Sequence, residues 1–242
     1  MTGPRSAFGV SLFLVSLVAP PSQASNREVK TIEAAADVVQ VLSVIPWGLL
    51  HNAAGVAIIP HAVKAALVVD EQFGRGVILI HEADGRWSNP LFITLRGGGI
   101  GGQAGIESTD LVLIFKTQKS LDRALQGKLT LGEDVSIAAG PIGRDAELAT
   151  DGRLLRADIV SYSRSRGLFA GVSLERAKLH IDPQSNKTFY GLREGSSVEV
   201  LNHHGKSIAA VETLKARLLG LRASPTSPPV VAPVPPPPTR RR

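Results

Sequence analysis

The stretch "LFITLRGGGIGGQAGIESTDLVLIFK", Leu91–Lys116, decides how the rest of the chain is read. Its middle holds six glycines in ten residues, and Gly97, Gly99 and Gly102 spell G-x-G-x-x-G. That pattern binds a dinucleotide only when it follows a strand and opens a helix, whose N-terminus then faces the pyrophosphate. Here an apolar strand precedes the glycines, and a second one, "TDLVLIF", follows. The pattern therefore predicts strand–glycine–strand, with the glycines serving bulges, positive φ or close backbone approach.

Working outward, "GVAIIP" (55–60) reads as a short buried strand, and "AVKAALVV" (62–69) is ambiguous between strand and helix. Val77–His81 and Pro90–Leu95 read as the arms of a hairpin turning at Asp84-Gly85. The nearly continuous apolar run of "TDLVLIFK" suits a central strand. "SLDRALQG" is a short helix capped by Ser120 and stopped by Gly127. "LTLGEDVSIAAG", "RADIVSYSRSRG" and "LFAGVSLERAKLHI" look like three further strands.

Helices flank this region. Ser25 and Glu28 suggest a capping box, and Val29, Ile32, Ala36, Val39 and Leu42 share one helical face up to Pro46. A short second helix starts at Pro46, and a last one runs from about Ser207 to Leu221. Helices, then many strands, then a helix predict an α+β fold: N-terminal helices packed on a mostly antiparallel, multi-stranded or barrel-like sheet, with a C-terminal helix.

The ends of the chain have a different character. Residues 1–24 resemble a secretory signal peptide, with Arg5 before the apolar run Phe8–Val18 and small residues at Ser22-Gln23-Ala24. Residues 223–242, "ASPTSPPVVAPVPPPPTRRR", form a proline-rich tail expected to be disordered with polyproline II character. In it Pro235, Pro238 and Arg240 fit a P-x-x-P-x-R ligand for a protein partner, although a spacer is the simpler role. Residues 26–222 are left as one domain.

Charge and composition exclude several functions. The net charge of +6 resides at the ends: without Arg5, Arg222 and the three terminal arginines, 22 basic residues face 21 acidic ones. A nearly neutral body argues against nucleic-acid binding, which calls for a concentrated basic face. Cysteine is absent, so disulfides, thiolate metal sites and a cysteine nucleophile are excluded. The six histidines form no HExxH or other spaced ligand set, so no metal site is expected. "GKS" at Gly205–Ser207 lacks the first Walker glycine, because Val200 stands there. No G-x-S-x-G or S-x-x-K occurs. No catalytic residue and no cofactor is expected, and an enzyme whose site the sequence hides is the weakest of three readings.

One cluster points to binding. In "SYSRSRGLFAGVSLE", Arg164 and Arg166 alternate, so a strand would aim both to one face beside the apolar "GLFAG". Arginine can meet a phosphate with two donors. With Arg144 these are the candidate lipid-binding residues; surface arginines at a strand end are the plainer alternative.

"KLTLGEDVSIAAGPIGRDAE", "YSRSRGLFAGVSLE", "FYG" at Phe189–Gly191, "GVAIIPHAVKAALVV" and the Gly74–Lys116 run resemble the core of the SYLF domain family, over roughly Asn26–Gly191. The resemblance implies lipid binding. Eukaryotic members such as the yeast actin-patch proteins bind phosphoinositides, some bind actin, and an N-terminal amphipathic helix contributes to membrane binding. Bacterial members are exported single domains. In this chain the segment Val29–Ile45 carries Lys30 but also Glu33 and Asp37, and reads as having no basic face.

The resulting expectation is an exported protein, periplasmic or extracellular and peripheral to a membrane. It would be non-enzymatic and bind anionic phospholipid or phosphoinositide-type headgroups. Export argues against actin as a partner. The alternative is an envelope structural or protein-interaction module with a proline-rich spacer.

Overall fold

The computed structural model describes residues 26–41, 45–66, 70–99, 105–127, 129–140, 154, 156–166, 174, 176–203 and 208–223. Their order is α1 (Asn26–Val41), α2 (Trp47–His51), β1 (Gly55–Ala66), β2 (Asp70–Ile80), β3 (Leu91–Gly99), β4 (Gly105–Phe115), α3 (Gln118–Leu125), β5 (Leu129–Thr130), β6 (Ile137–Ala139), β7 (Ile159–Arg166), β8 (Lys178–Ile181), α4 (Pro183–Tyr190), α5 (Ser197–Leu201) and α6 (Ala209–Ala223). The chain is α+β, as the element order predicts.

The eight strands form one sheet in the order β5-β8-β3-β2-β1-β4-β7-β6. Every pairing is antiparallel except β6 with β7. The described ends of the glycine stretch are strand, and residues 100–104 lie outside the described residues. Gly97, Gly98 and Gly99 belong to β3 and pair with Gln72, Glu71 and Asp70, and Gly105 begins β4.

The sheet curls, and its connectivity says why. β5 and β6 lie at opposite edges yet are joined by residues 131–136 alone. Eight flat strands would set their outer edges about 34 Å apart at about 4.8 Å per spacing. Seven virtual bonds reach at most about 24 Å. The link is shorter still, because it folds back on itself: the Gly132 amide donates to the Val135 carbonyl and Asp134 to Thr130.

Curling buries both faces, and alternate residues divide between two cores. Ala57, Ile59, Ile78, Leu91, Ile93, Leu95, Leu111, Leu113, Phe115 and Ile159 point inward, against Leu121 and Ala124 of α3 and Leu179 of β8. Val56, Ile58, Val77, Leu79, Phe92, Val112, Ile114, Val160 and Tyr162 point outward beneath the helices. This is the reason for continuous apolar runs where a half-solvated sheet would alternate. On the outer side α1 contributes Ile32, Ala35, Ala36, Val38 and Val39, and α6 contributes Val211, Leu214 and Leu218 at helical spacing.

Several local expectations change. The ambiguous "AVKAA" continues β1 as strand. β2 begins at Asp70, well before Val77. The turn at Asp84-Gly85 stands, with Gly85 at φ 84° and the Arg86 amide donating to Asp84 Oδ1. The cap of α3 is Thr117 and not Ser120: its hydroxyl accepts from the Ser120 amide. "LTLGEDVSIAAG" is two short strands at opposite edges, since Gly132 at φ 81° turns the chain between them. Of "LFAGVSLERAKLHI" only Lys178–Ile181 is strand among the described residues.

α4 and α5 stand where the sequence pattern predicts no element. Their signals are present: Asp182 caps α4 with proline at the next position and left-handed Gly191 after its end, and Ser196 caps α5. The capping box proposed for α1 lies partly outside the described residues. Ser25 lies outside the described residues, and Glu28 turns inward to accept from the Ser185 hydroxyl at 3.2 Å. The proposed signal peptide (1–24) lies outside the described residues, as does all of the tail but Ala223.

Candidate functional site

β1 carries a proline at the centre of the sheet, where its missing amide would break a ladder. The strand solves this with a bulge at Pro60-His61. Its register shifts between Ile59 and Ala62 against β4, and between Ile58 and Val63 against β2. His61 sits at φ 49°, a conformation few side-chain-bearing residues adopt. Its amide donates to Asp110 Oδ1 at 3.0 Å, and its Nδ1 lies 3.5 Å from the same oxygen. The Asp110 side chain is only 5 % exposed, whereas that of His61 is 54 % exposed.

β2 passes this bulge as Gly74-Arg75-Gly76. A Cβ on Gly76 would collide with the Ile58 carbonyl oxygen, and one on Gly74 would press into Ile59. Only glycine fits on either side of Arg75, and the alternation then places Arg75 on the outer face, in step with Val77 and Leu79.

The register extends this into a row. Arg75 pairs with Thr94 on β3, the bulge lies between Arg75 and Asp110, and Asp110 pairs with Arg164 on β7. Arg75, His61, Asp110 and Arg164 thus cross four adjacent strands on one face, with β2 and β7 about 14 Å apart. Tyr162, two residues before Arg164, is buried, and burial pushes its hydroxyl up to about 12, so it stays neutral beside the row.

The first turns of α1 stand over one end of the row. Arg27, Lys30, Thr31 and Ala34 occupy one helical face at i, i+3, i+4 and i+7. With Pro60, His61 and Arg75 they line an open groove of about 410 Å³. Three permanent cations and a histidine, drawn from α1, β1 and β2, meet there. Two acidic residues of α1 are engaged by other elements. Glu28 is buried and held by Ser185, and Asp37 pairs with Arg217 of α6 at 2.7 Å. Behind the groove, Glu28 and Asp182 line a small hollow together with Arg27 and Arg75, so carboxylates back the cations from inside.

The segment Val29–Ile45 itself brings one cation to the groove, Lys30, and Arg27 just before it brings a second. Of the residues chosen from sequence, Arg164 is exposed on β7 in the row described. Arg166 follows on the same strand, its backbone paired with Ser108. Arg144 lies outside the described residues. Arg27, Lys30, His61 and Arg75 were missed. The available signals were a proline inside an apolar strand and a G-R-G in its neighbour, which together mark a bulge.

Among the described residues no group of three or more His, Asp or Glu side chains could hold a metal ion, and no helix is long and apolar enough to cross a membrane.

Residues 96–220, slightly more than half of the chain, match the family model described as "Ysc84: Las17-binding protein actin regulator". The chain is 43 % identical over 150 residues to LAS seventeen-binding protein 3 of Saccharomyces cerevisiae, covering 61 % of this chain and 32 % of that protein. It is 41 % identical over 150 residues to Protein YSC84 of the same yeast, with the same coverage of each. To SH3 domain-containing YSC84-like protein 1 of Xenopus laevis it is 37 % identical over 159 residues, 65 % of this chain and 47 % of that one. The chain thus spans from about a third to about half the length of these relatives. No solved structure matches.

These findings correct two expectations. Export argues against actin as a partner, but the matching family is described as a Las17-binding actin regulator and one yeast relative is named for binding Las17. The periplasmic or extracellular location falls with that argument, because the relatives are proteins of yeasts and vertebrates and the family's described role lies beside actin.

Proposed function

The chain belongs to the Ysc84 (SYLF) family, and from that premise we propose that it is a non-enzymatic docking module that binds anionic phospholipid headgroups at a membrane surface. The observation that carries this reading is the convergence of Arg27, Lys30, His61 and Arg75 on one open groove, with Arg164 in the same cross-strand row. A headgroup suits the site better than an acyl chain: the groove is open and cationic, while the inward-facing side chains of the described strands pack on one another. Docking does not call for inserting α1, whose apolar face is already buried against the sheet and α6.

Co-sedimentation with phosphatidylcholine vesicles containing phosphatidylglycerol tests this. Binding should rise with the anionic fraction and fall with salt. A basic side chain near an anionic surface contributes about 1 kcal/mol, so replacing both Lys30 and Arg75 with Ala should weaken binding roughly thirtyfold. Arg164→Ala with Arg166→Ala should weaken it too; if that pair leaves affinity unchanged, the site is the groove alone. No binding to any anionic vesicle at low salt would sink the reading.

The family description favours a second reading, in which the module binds a Las17-type actin regulator. Titration with purified Las17 tests it, and saturable binding that survives the groove substitutions would place the protein contact elsewhere on the molecule.

A further inference from the structure

We infer that anion binding in the groove is linked to uptake of one proton by His61, so that acid strengthens it. The inference rests on the groove being the anion site. The left-handed backbone of His61 is pinned by its amide to buried Asp110, and the same carboxylate oxygen lies 3.5 Å from Nδ1. With Nδ1 turned to a carboxylate, the neutral imidazole keeps its proton there. Nε2 then carries a lone pair, which repels an anionic oxygen; the protonated ring carries N–H at both nitrogens and can donate to the anion and to Asp110 together.

The surrounding charges make the ring responsive. Arg27 and Lys30 face it from α1, Arg75 from β2, Asp110 from β4, and Arg164 lies beyond Asp110 on β7. Glu28 and Asp182 stand behind Arg27 and Arg75. An anion bound beside the ring adds negative charge next to it and so favours its protonated form. By linkage, an anion that raises proton affinity must bind more tightly as protons are added. The ligand class is an oxyanion, whether a lipid phosphodiester or a soluble tetrahedral ion.

The test uses probes whose own charge stays fixed between pH 5.5 and 7.5: vesicles containing phosphatidylglycerol, and sulfate. An imidazole loses most of its charge across that range. The full chain should bind the vesicles about five- to tenfold more tightly at pH 5.5 than at pH 7.5, and His61→Asn should lose most of that difference. Asn is the chosen replacement because it tolerates the left-handed backbone at this position. Calorimetry in two buffers of different ionisation enthalpy should show up to one proton taken up per anion at pH 7, absent in the variant. Sulfate reproducing the linkage identifies a site for free oxyanions; vesicles alone reproducing it identifies a headgroup site.

Binding that is equal at both pH values, or a pH dependence unchanged in His61→Asn, overturns the linkage while leaving the groove reading in place. No binding of either probe at either pH overturns both.

Discussion

The two faces of the one sheet are built from the same strands and do opposite things. Inward, Leu91, Ile93, Leu111, Leu113 and Phe115 meet each other across the curl. Outward, Val56, Ile58, Val77, Leu79, Val112 and Ile114 are roofed by α1 and α6. Where the roof ends, the same alternation that supplied apolar contacts supplies Arg75, Asp110 and Arg164, and the bulge adds His61. The lesson is that the site needed no element of its own. It is the outer core's register carried past the edge of its cover.

The sharpest way to break the distinction is at the glycine the two faces share. Gly76→Val drives a side chain into the Ile58 carbonyl, and should cost several kcal/mol and abolish both folding and vesicle binding. Circular dichroism melts with co-sedimentation check it; a stable variant would mean that β1 and β2 can separate at the bulge. Next in size, Leu113→Ala on the inner face removes a fully buried side chain and should cost about 2–5 kcal/mol, with groove affinity unchanged in the protein that stays folded. A loss of affinity in the folded fraction would show that the faces are not separable.

The smallest effect lies at the sheet's edge. Asp158 accepts from the Ser136 hydroxyl at 2.7 Å and the Ser136 amide at 3.0 Å, and these bonds, with that of the hydroxyl leading, hold its carboxyl below the usual range. The carboxylate is favoured in the folded state, so its contribution is present above the unfolded value near pH 4 and is lost as pH falls through the lower folded value. Asp158→Asn should cost about 1 kcal/mol at neutral pH, and the gap to the parent should close in urea melts near pH 3. A gap independent of pH would assign the loss to shape and not charge.

Much of the fold was legible because hydrophobic pattern and element order are local properties. Strands on both sides of Gly97–Gly105 ruled out a nucleotide loop without reference to anything distant. The groove was not legible, because it is a property of register. Arg27 and His61 stand 34 positions apart and His61 and Arg75 14, and only the pairing of β1 with β2 and the placement of α1 bring them together. Arg164 and Arg166 were found because alternation along one strand is visible in sequence, whereas Asp110 facing Arg164 is not. Charge on α1 is likewise partly a matter of tertiary partners: Asp37 counts as acidic in the chain, but Arg217 engages it in the fold.

The short link between β5 and β6 has a consequence for how the molecule is made. Both edge strands leave the ribosome before their partners, since Leu129 must wait for Leu179 and Ile137 for Ile159. The central strands β1–β4 are complete by Phe115 and can pair first, while the sheet's two margins stay open until the C-terminal half arrives. Closing pairs this distant in sequence is slow, and open margins invite other chains in the interval. The synthesis of residues 116–181 is therefore the vulnerable period in the life of this protein, and the step at which a chaperone would be of most use.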